Sequence, residues 1–446
     1  MIGGMQRAVP QSRTMRTMCR AVLAWMLLAA GAGAQVEAEN QLRDPDPRVR
    51  ERAVRELGES NNPAYVPILG QIVRDPDERV RMTVVKSLIR MGTEASLPPL
   101  CLALRDGLPE IRYLAIDGIV NFYLPGYVDI GFGGLFRSAS QRFQNLFSDV
   151  DTAIADADTR LSPEVLDTLR RTVTGAPDMQ TRVRAARALG ILRAREAVPE
   201  LIEAAFSNQV ELIAETLRAF QKIQDTSVGP RIIFLLNYPQ NSIQQRAAAT
   251  LGLLQTHEAI PELRTLLENS GNKDVRIAAL DALAFMPVPE TAPVFEAYLQ
   301  DRETRMRASA ALALGRLQGA NYSGLLIEAR EQERDAGVRL ALNFGLVAHG
   351  RMDYLEELVS SLSSRVRMGE ARPYLIELAR QQAVRQALYP KLYSADADIR
   401  RNLCAVLAAS GDSASISYLE VLLRDSNSEV VQEASRAIRI LRSRGM

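Results

Sequence analysis

Apolar and polar positions along this chain follow a helical period nested inside a much longer one. A β-branched or aliphatic residue recurs, usually followed by Arg, with a small or aliphatic residue four positions on and an aliphatic one eight on. The phrase reads Val49-Arg50…Ala53…Leu57, Val80-Arg81…Val84…Leu88, Ile111-Arg112…Ala115…Ile119, Thr181-Arg182…Ala185…Leu189, Leu212-Ile213…Thr216…Phe220 and Ile243-Gln244…Ala247…Leu251. It continues as Val275-Arg276…Ala279…Leu283, Met306-Arg307…Ala310…Leu314, Val338-Arg339…Leu342…Leu346, Ile399-Arg400…Leu403…Leu407 and Val430-Val431…Ala434…Ile438. Successive anchors lie 31, 31, 70, 31, 31, 32, 31, 32, 61 and 31 residues apart. A period in that range marks stacked supersecondary units, none of which can bury its apolar face alone.

Each unit resolves into two helices. Apolar residues at offsets 0, 4, 7, 8 and 11 from the anchor form one stripe of a 3.6-residue period, so the phrase is itself a helix. Three residues ahead of the anchor stand Asp46, Asp77, Asp178, Asp335, Asp396 and Asn427, whose side-chain oxygens suit the free amides of a first turn. Upstream, Val66-Pro67, Leu97-Pro98, Val198-Pro199, Gly229-Pro230, Ile260-Pro261 and Ala292-Pro293 open a preceding helix, where a missing N–H costs nothing. The unit is therefore helix, turn, capped helix, and the fold class is all-α.

The string Asp-x-x-Val-Arg-x-x-x-(Ala/Val)-x-x-x-Leu-Gly, preceded by Ala-Val-Pro-x-Leu, resembles the HEAT repeat, and within it the short bacterial form of the phycobilin lyases. The resemblance covers most of residues 41–445 and implies an α/α superhelix, a right-handed HEAT/armadillo-like solenoid whose second helices line a concave face. It also implies that the Arg after each anchor pairs with the cap acid of its own or the next repeat. It implies little about function, because one such scaffold serves many unrelated roles.

The sequence divides into a leader (1–34), N-terminal repeats (35–124), a helical insert (125–176), central repeats (177–346) and a closing stretch (347–446) that is irregular before the period resumes. The insert carries Pro125-Gly126, a Gly-rich run, and Phe132, Phe136, Phe143 and Phe147 at helical spacing, followed by a helix from Pro163 to Val173. Such a Phe face can pack within the protein, bind a partner or touch a lipid interface, although few basic residues line its polar side. In the closing stretch, Glu370 to Leu375 is expected to restart a first helix, and Ala383 to Leu392 to form a misphased second one.

The leader changes the expected compartment. Arg7, Arg13, Arg16 and Arg20 precede an apolar run from Ala21 to Ala30, and Ala32-Gly33-Ala34 supplies small residues before Gln35. That order is expected of a secretory signal cleaved after Ala34, with an apolar core too short to span a bilayer; the alternatives are an uncleaved anchor or a start at Met15 or Met18. The mature chain is then expected to be periplasmic or secreted. Net charge is +1, and removing the four leader arginines leaves 50 basic against 53 acidic residues, which gives no basis for nucleic-acid binding. Cys101 and Cys404, far apart in the array, suit buried thiols and not a disulfide framework.

Catalytic chemistry is sparse. His257 and His349 are the two histidines. His257-Glu258 is similar to the His-Glu dipeptides of the HEAT-repeat deoxyhypusine hydroxylases, but one pair cannot build their di-iron site. No phosphate loop, Cys-x-x-Cys or nucleophile elbow is present. The sequence therefore leads to no catalytic residue, no cofactor and no metal.

Positions two and six after each anchor turn away from the core stripe. In the N-terminal half they offer Arg55, Lys86, Arg187 and Arg218, countered by Glu51 and Asp117. In the C-terminal half they offer Ile277, Ala308, Leu312, Leu340 and Phe344, apolar for an exposed line, so they form either an interaction surface or contacts between neighbouring repeats of a tightly wound solenoid. The expected function is a non-catalytic scaffold of the cell envelope that binds a protein or peptide at Ile277, Leu312, Leu340 and Phe344, with the Phe-rich insert as a second surface. The alternatives are an enzyme or accessory subunit of lyase type with a site at the insert, and a structural spacer, which would have no apolar groove.

Overall fold

The computed structural model describes residues 40–128, 153–155, 159–317, 319 and 321–444, and among these the regular structure is entirely helical. The leader and Phe132, Phe136, Phe143 and Phe147 lie outside the described residues. The chain divides into two compact units, Met1–Ile223 and Gln224–Met446.

In the first unit, the second helices of successive repeats are α1 (Pro47–Glu59), α3 (Glu78–Met91), α5 (Pro109–Tyr123), α7 (Met179–Ile191) and α9 (Val210–Ile223). The first helices are α2 (Val66–Ile72), α4 (Leu97–Ala103), α6 (Pro163–Gly175) and α8 (Val198–Ala205). Second helices pack on second helices in sequence, α5 directly on α7, while α6 lies against α4 and α8. The helix from Pro163 is therefore not part of an insert. It is the first helix of the repeat completed by α7, and the interruption is confined to the chain between Tyr123 and Pro163.

In the second unit, the second helices are α11 (Asn241–Leu253), α13 (Lys273–Phe285), α15 (Thr304–Arg316), α17 (Ala336–Ala348), α19 (Met368–Leu378), α21 (Ala397–Ser410) and α23 (Ser428–Arg444). The first-helix layer is α10 (Gly229–Ile232), α12 (Ile260–Asn269), α14 (Ala292–Tyr298), α16 (Ser323–Gln332), α18 (Leu355–Ser360), α20 (Gln382–Leu388) and α22 (Ser413–Val421). The expected order of the closing stretch is reversed. α19 packs between α17 and α21 and holds a second-helix place, while the 3₁₀ turn Tyr389–Tyr393 that continues α20 lies against α21 and α22. Pro373 misled the sequence reading: elsewhere Pro opens a first helix, but here it stands inside α19.

The capping acids act as expected. Asp46 accepts from the Arg48 amide at 2.8 Å, Asp77 from Arg79 at 2.9 Å, Asp178 from Thr181 at 2.8 Å and Asp335 from Gly337 at 2.9 Å. Asp396 and Asn427 do the same for α21 and α23. Each such cap contributes about 1 kcal/mol.

The arginine ladder is present with a different partner from the one expected. Arg50 donates in parallel to Asp75 at 2.8 and 2.9 Å, Arg81 to Asp106 at 2.6 and 3.1 Å, Arg307 to Glu333 at 2.7 and 3.0 Å, and Arg400 to Asp425 at 2.7 and 2.8 Å. These acids stand two residues before the next cap position, and each also accepts the amide two residues on, as Asp75 does from Asp77 at 2.8 Å and Asp425 from Asn427 at 2.8 Å. The free Nη1 of each Arg reaches back to the carbonyls before its own helix, as Arg81 does to Asp75 at 2.9 Å. One guanidinium thus ties the end of one repeat to the start of the next. Other arginines beside anchors depart from this pattern: Arg112 pairs with the cap Asp178 itself at 2.6 Å across the interruption, Arg339 pairs with Glu357 at 3.0 Å, and Arg182 donates to the Ala176 carbonyl at 2.6 Å. These arginines are structural.

Ile277, Leu340 and Phe344 are buried, at 2%, 1% and 1% exposure, and Leu312 is partly buried. Of the two readings open in the sequence, the packed one holds: these side chains meet neighbouring repeats and form no exposed apolar strip. The reason is how closely second helices approach: a Cβ on Gly315 would lie 2.5 Å from the Gly345 Cα, and one on Gly252 would lie 2.8 Å from that of Ala282. At that separation offsets two and six face the adjacent helix. Leu340 and Phe344 share a core with Leu375 and Leu378 of α19, and the Tyr374 ring lies 5.5 Å from that of Phe344.

Candidate functional site

The second helices of the central part of this unit end in a row. Leu253, Phe285, Arg316, Ala348 and Leu378 are the last residues of α11, α13, α15, α17 and α19, and all five line one open groove with a volume of about 730 Å³. The first four are the same repeat position, ten residues after the anchor. Buried Met286 and Phe344 contribute to the floor, with Ile376 and Pro287 beside them. Leu253 and Phe285 are 48% and 43% exposed, so two adjacent repeats present large apolar side chains to solvent. Gln255, His257, Arg372, Glu377, Arg380 and Gln381 supply the polar rim. The groove is open to solvent, with an apolar floor and a polar rim.

Arg316 organises the centre. Its Nε and Nη2 donate to the Glu377 carboxylate at 2.7 and 2.8 Å, and its Nη1 donates to the Ala284 carbonyl at 2.8 Å. Its guanidinium carbon also lies 5.2 Å from the Phe285 ring centroid and 5.4 Å from that of Phe344. A cation suits this place, because the carbonyls ending α13 carry partial negative charge. His349 meets the end of α15, with Nε2 2.9 Å from the Leu314 carbonyl. Gln255 takes φ 52°, the left-handed conformation that stops α11 and turns the chain into the next first helix. None of Leu253, Phe285, Arg316, Arg372 or Arg380 stood out in the sequence. The usable signal was offset ten, where Leu and Phe replace the charged residues at Glu59, Arg90 and Lys222.

Other candidates resolve into structure. His257 is exposed in a 3₁₀ turn with Nδ1 2.9 Å from the Gln255 carbonyl, and among the described residues no group of three or more His, Cys, Asp or Glu side chains could hold a metal ion. Cys101 and Cys404 are buried and free, and burial pushes their thiols up to about 11 and about 12, respectively. The basic line in the first unit answers to its own acids. Arg187 donates twice to Glu215 at 3.1 and 3.0 Å, Arg218 donates to the same carboxylate at 2.8 Å, Arg184 donates to Asp117 at 2.9 Å, and Arg55 to Glu51 at 2.5 Å. Burial pushes the Asp117 carboxyl up. Burial also opposes ionisation of Glu215, but the Arg187 and Arg218 guanidinium groups overcome it and hold that carboxyl down.

The helical pairs also match known families. Residues 37–119 and 260–347 match the family model for HEAT repeats, and residues 181–207 and 243–269 match that for PBS lyase HEAT-like repeats. The fold is an all-α HEAT-repeat solenoid. Among solved structures, an engineered protein is 18% identical over 91% of this chain and 98% of its own, with a TM-score of 0.34. Importin beta is 13% identical over 91% of this chain, which spans 62% of importin's length, with a TM-score of 0.46. The complex of CpcE and CpcF of phycocyanin lyase from Nostoc sp. PCC7120 is 18% identical over 59% of this chain and 94% of its own, with a TM-score of 0.34. No curated protein matches the sequence.

Proposed function

We propose that this HEAT-repeat chain is a non-catalytic scaffold that binds a protein segment in the groove at the ends of α11 to α19, and that it works in the envelope or outside the cell after its leader is cleaved. The observation that carries the binding role is the exposure of Leu253 and Phe285 at equivalent positions of neighbouring repeats above an apolar floor. Exposed apolar side chains arranged in a groove, and not scattered singly, are the usual mark of an interaction surface. Two features favour binding over catalysis. Arg316 and Glu377 spend their charges on each other, and His257 is turned to its own loop. A spacer would have no need of such a groove.

Peptide display on the full-length chain, followed by photo-crosslinking of the selected peptides, tests the site. Crosslinks at Leu253, Phe285 or Ile376 support it; selected peptides that crosslink elsewhere, or no selection at all, refute it. Export rests on the leader's order of basic, apolar and small residues. N-terminal sequencing of the protein recovered from cell fractions checks it, and a mature chain that retains residues before Ala34 would count against cleavage.

A further inference from the structure

We infer that the occupant of this groove is an acidic segment in an extended, polyproline-like conformation that places two apolar side chains three residues apart. This rests on the groove being a peptide site at all.

The spacing follows from helix packing. Leu253 and Phe285 end two second helices in direct contact, with Gly252 set against Ala282 so tightly that a Cβ would come within 2.8 Å of backbone. Helices in contact lie about 8–10 Å apart. A polyproline helix advances about 3.1 Å per residue with three residues per turn, so residues i and i+3 share a face about 9 Å apart. A β-strand repeats its face at about 7 or 13 Å, further from the middle of that range.

The charge follows from what is left over. Of the ionisable groups lining the groove besides His257, Glu377 is committed to Arg316. Arg372 and Arg380 have no acid partner among the described residues, so two positive charges are uncompensated. The helix ends facing the groove oppose this, at about half a negative charge each. At three of the five ends side chains already answer carbonyls, Ala284 by Arg316 at 2.8 Å, Leu314 by His349 at 2.9 Å, and Ala379 and Arg380 by Arg385 at 2.9 and 2.8 Å. Arg372 and Arg380 are the charged side chains left for an occupant to meet, and carboxylates flanking the apolar pair complement them.

Fluorescence anisotropy with the full chain and three labelled synthetic peptides tests this. The peptides share one apolar pair at i and i+3, flanked by Glu, by Gln or by Lys. The Glu peptide should bind at least tenfold tighter than the Gln peptide at about 50 mM salt, and lose that advantage at about 500 mM, where the screening length falls to a few ångströms. The R372E/R380E variant should prefer the Lys peptide, L253A/F285A should weaken all three, and moving the apolar pair to i and i+2 should cost at least tenfold. Equal binding of the Glu and Gln peptides, unchanged by R372E/R380E, overturns the acidic occupant while leaving a peptide groove in place. Indifference to apolar spacing overturns the conformation. Peptides that bind with no effect of L253A/F285A, or no binding by any peptide, overturn the inference together with the site. A concentration-dependent dimer in sedimentation that L253A/F285A abolishes makes a second copy the occupant, and overturns the inference as well.

Discussion

Leu340→Asp separates the structure from the sequence pattern. By offset, Leu340 belongs to an exposed line, where such a change shifts stability by about 0.5 kcal/mol or less. In the structure it is 1% exposed and shares a core with Phe344, Leu375 and Leu378. Removing a buried Leu side chain costs about 2–5 kcal/mol in lost transfer energy and cavity. A carboxyl forced to stay protonated at neutral pH in that apolar setting adds about 4 kcal/mol. The total, about 6–9 kcal/mol, is comparable to the whole stability of an ordinary domain. In a stack stabilised by neighbour contacts, the repeats around α17 and α19 should unravel first. Thermal melting followed by circular dichroism at 222 nm should show the affected transition lowered by at least about 10 °C. Limited proteolysis should open new sites between Ala336 and Leu378. Phe285→Asp is the control: at 43% exposure it loses chiefly the contact with Arg316, about 1 kcal/mol, and should melt within about 4 °C of the parent. If Leu340→Asp melts like Phe285→Asp, the packing of α19 on α17 is wrong, and the apolar line returns as a surface.

Three further outcomes follow from the ladder, the caps and the glycines. Arg81→Ala removes both bonds to Asp106 and those to the Asp75 and Pro76 carbonyls, leaves a nearly buried carboxylate without its partner, and should cost about 2 kcal/mol in urea denaturation; no change would make the ladder ornamental. Asp178 is opposed by burial but held well below the usual carboxylate range by Thr181, Arg112 and Tyr113, so its contribution is fully present above about pH 4 and is lost as pH falls towards its folded pKa. Asp178→Asn should therefore destabilise at pH 7 and melt closer to the parent near pH 2; a deficit independent of pH refutes the assignment. Gly315→Ala gains up to about 1 kcal/mol of helix propensity but drives a Cβ into the Gly345 backbone, and should be net destabilising by about 1–3 kcal/mol. Gly324→Ala, with open space around it, should be neutral or stabilising in the same melts.

The repeat itself was legible in the sequence because its signals are local. A capping Asp acts on an amide two or three residues away, a first-turn Pro spares its own missing donor, and an apolar stripe needs only its own helix. Those signals located the second helices at the anchors and pointed to a structural role for the arginine beside most of them. Three things depended on distance. The acid that answers Arg81 stands twenty-five residues away, just ahead of the next cap, so a rule centred on the cap named the wrong partner. Pro373 carries the same local signal as a first-helix proline, and only the packing of α19 between α17 and α21 shows that it does not open one. The candidate site moved for the same reason. Offset six is exposed on a lone helix and buried at Phe344 once Gly315 and Gly345 bring two helices nearly into backbone contact. Offset ten, at the helix end, escapes that contact and leaves Leu253 and Phe285 facing solvent. A helical period fixes which residues share a face, but whether that face is covered depends on how closely the next helix approaches, and that distance is set by residues one repeat away.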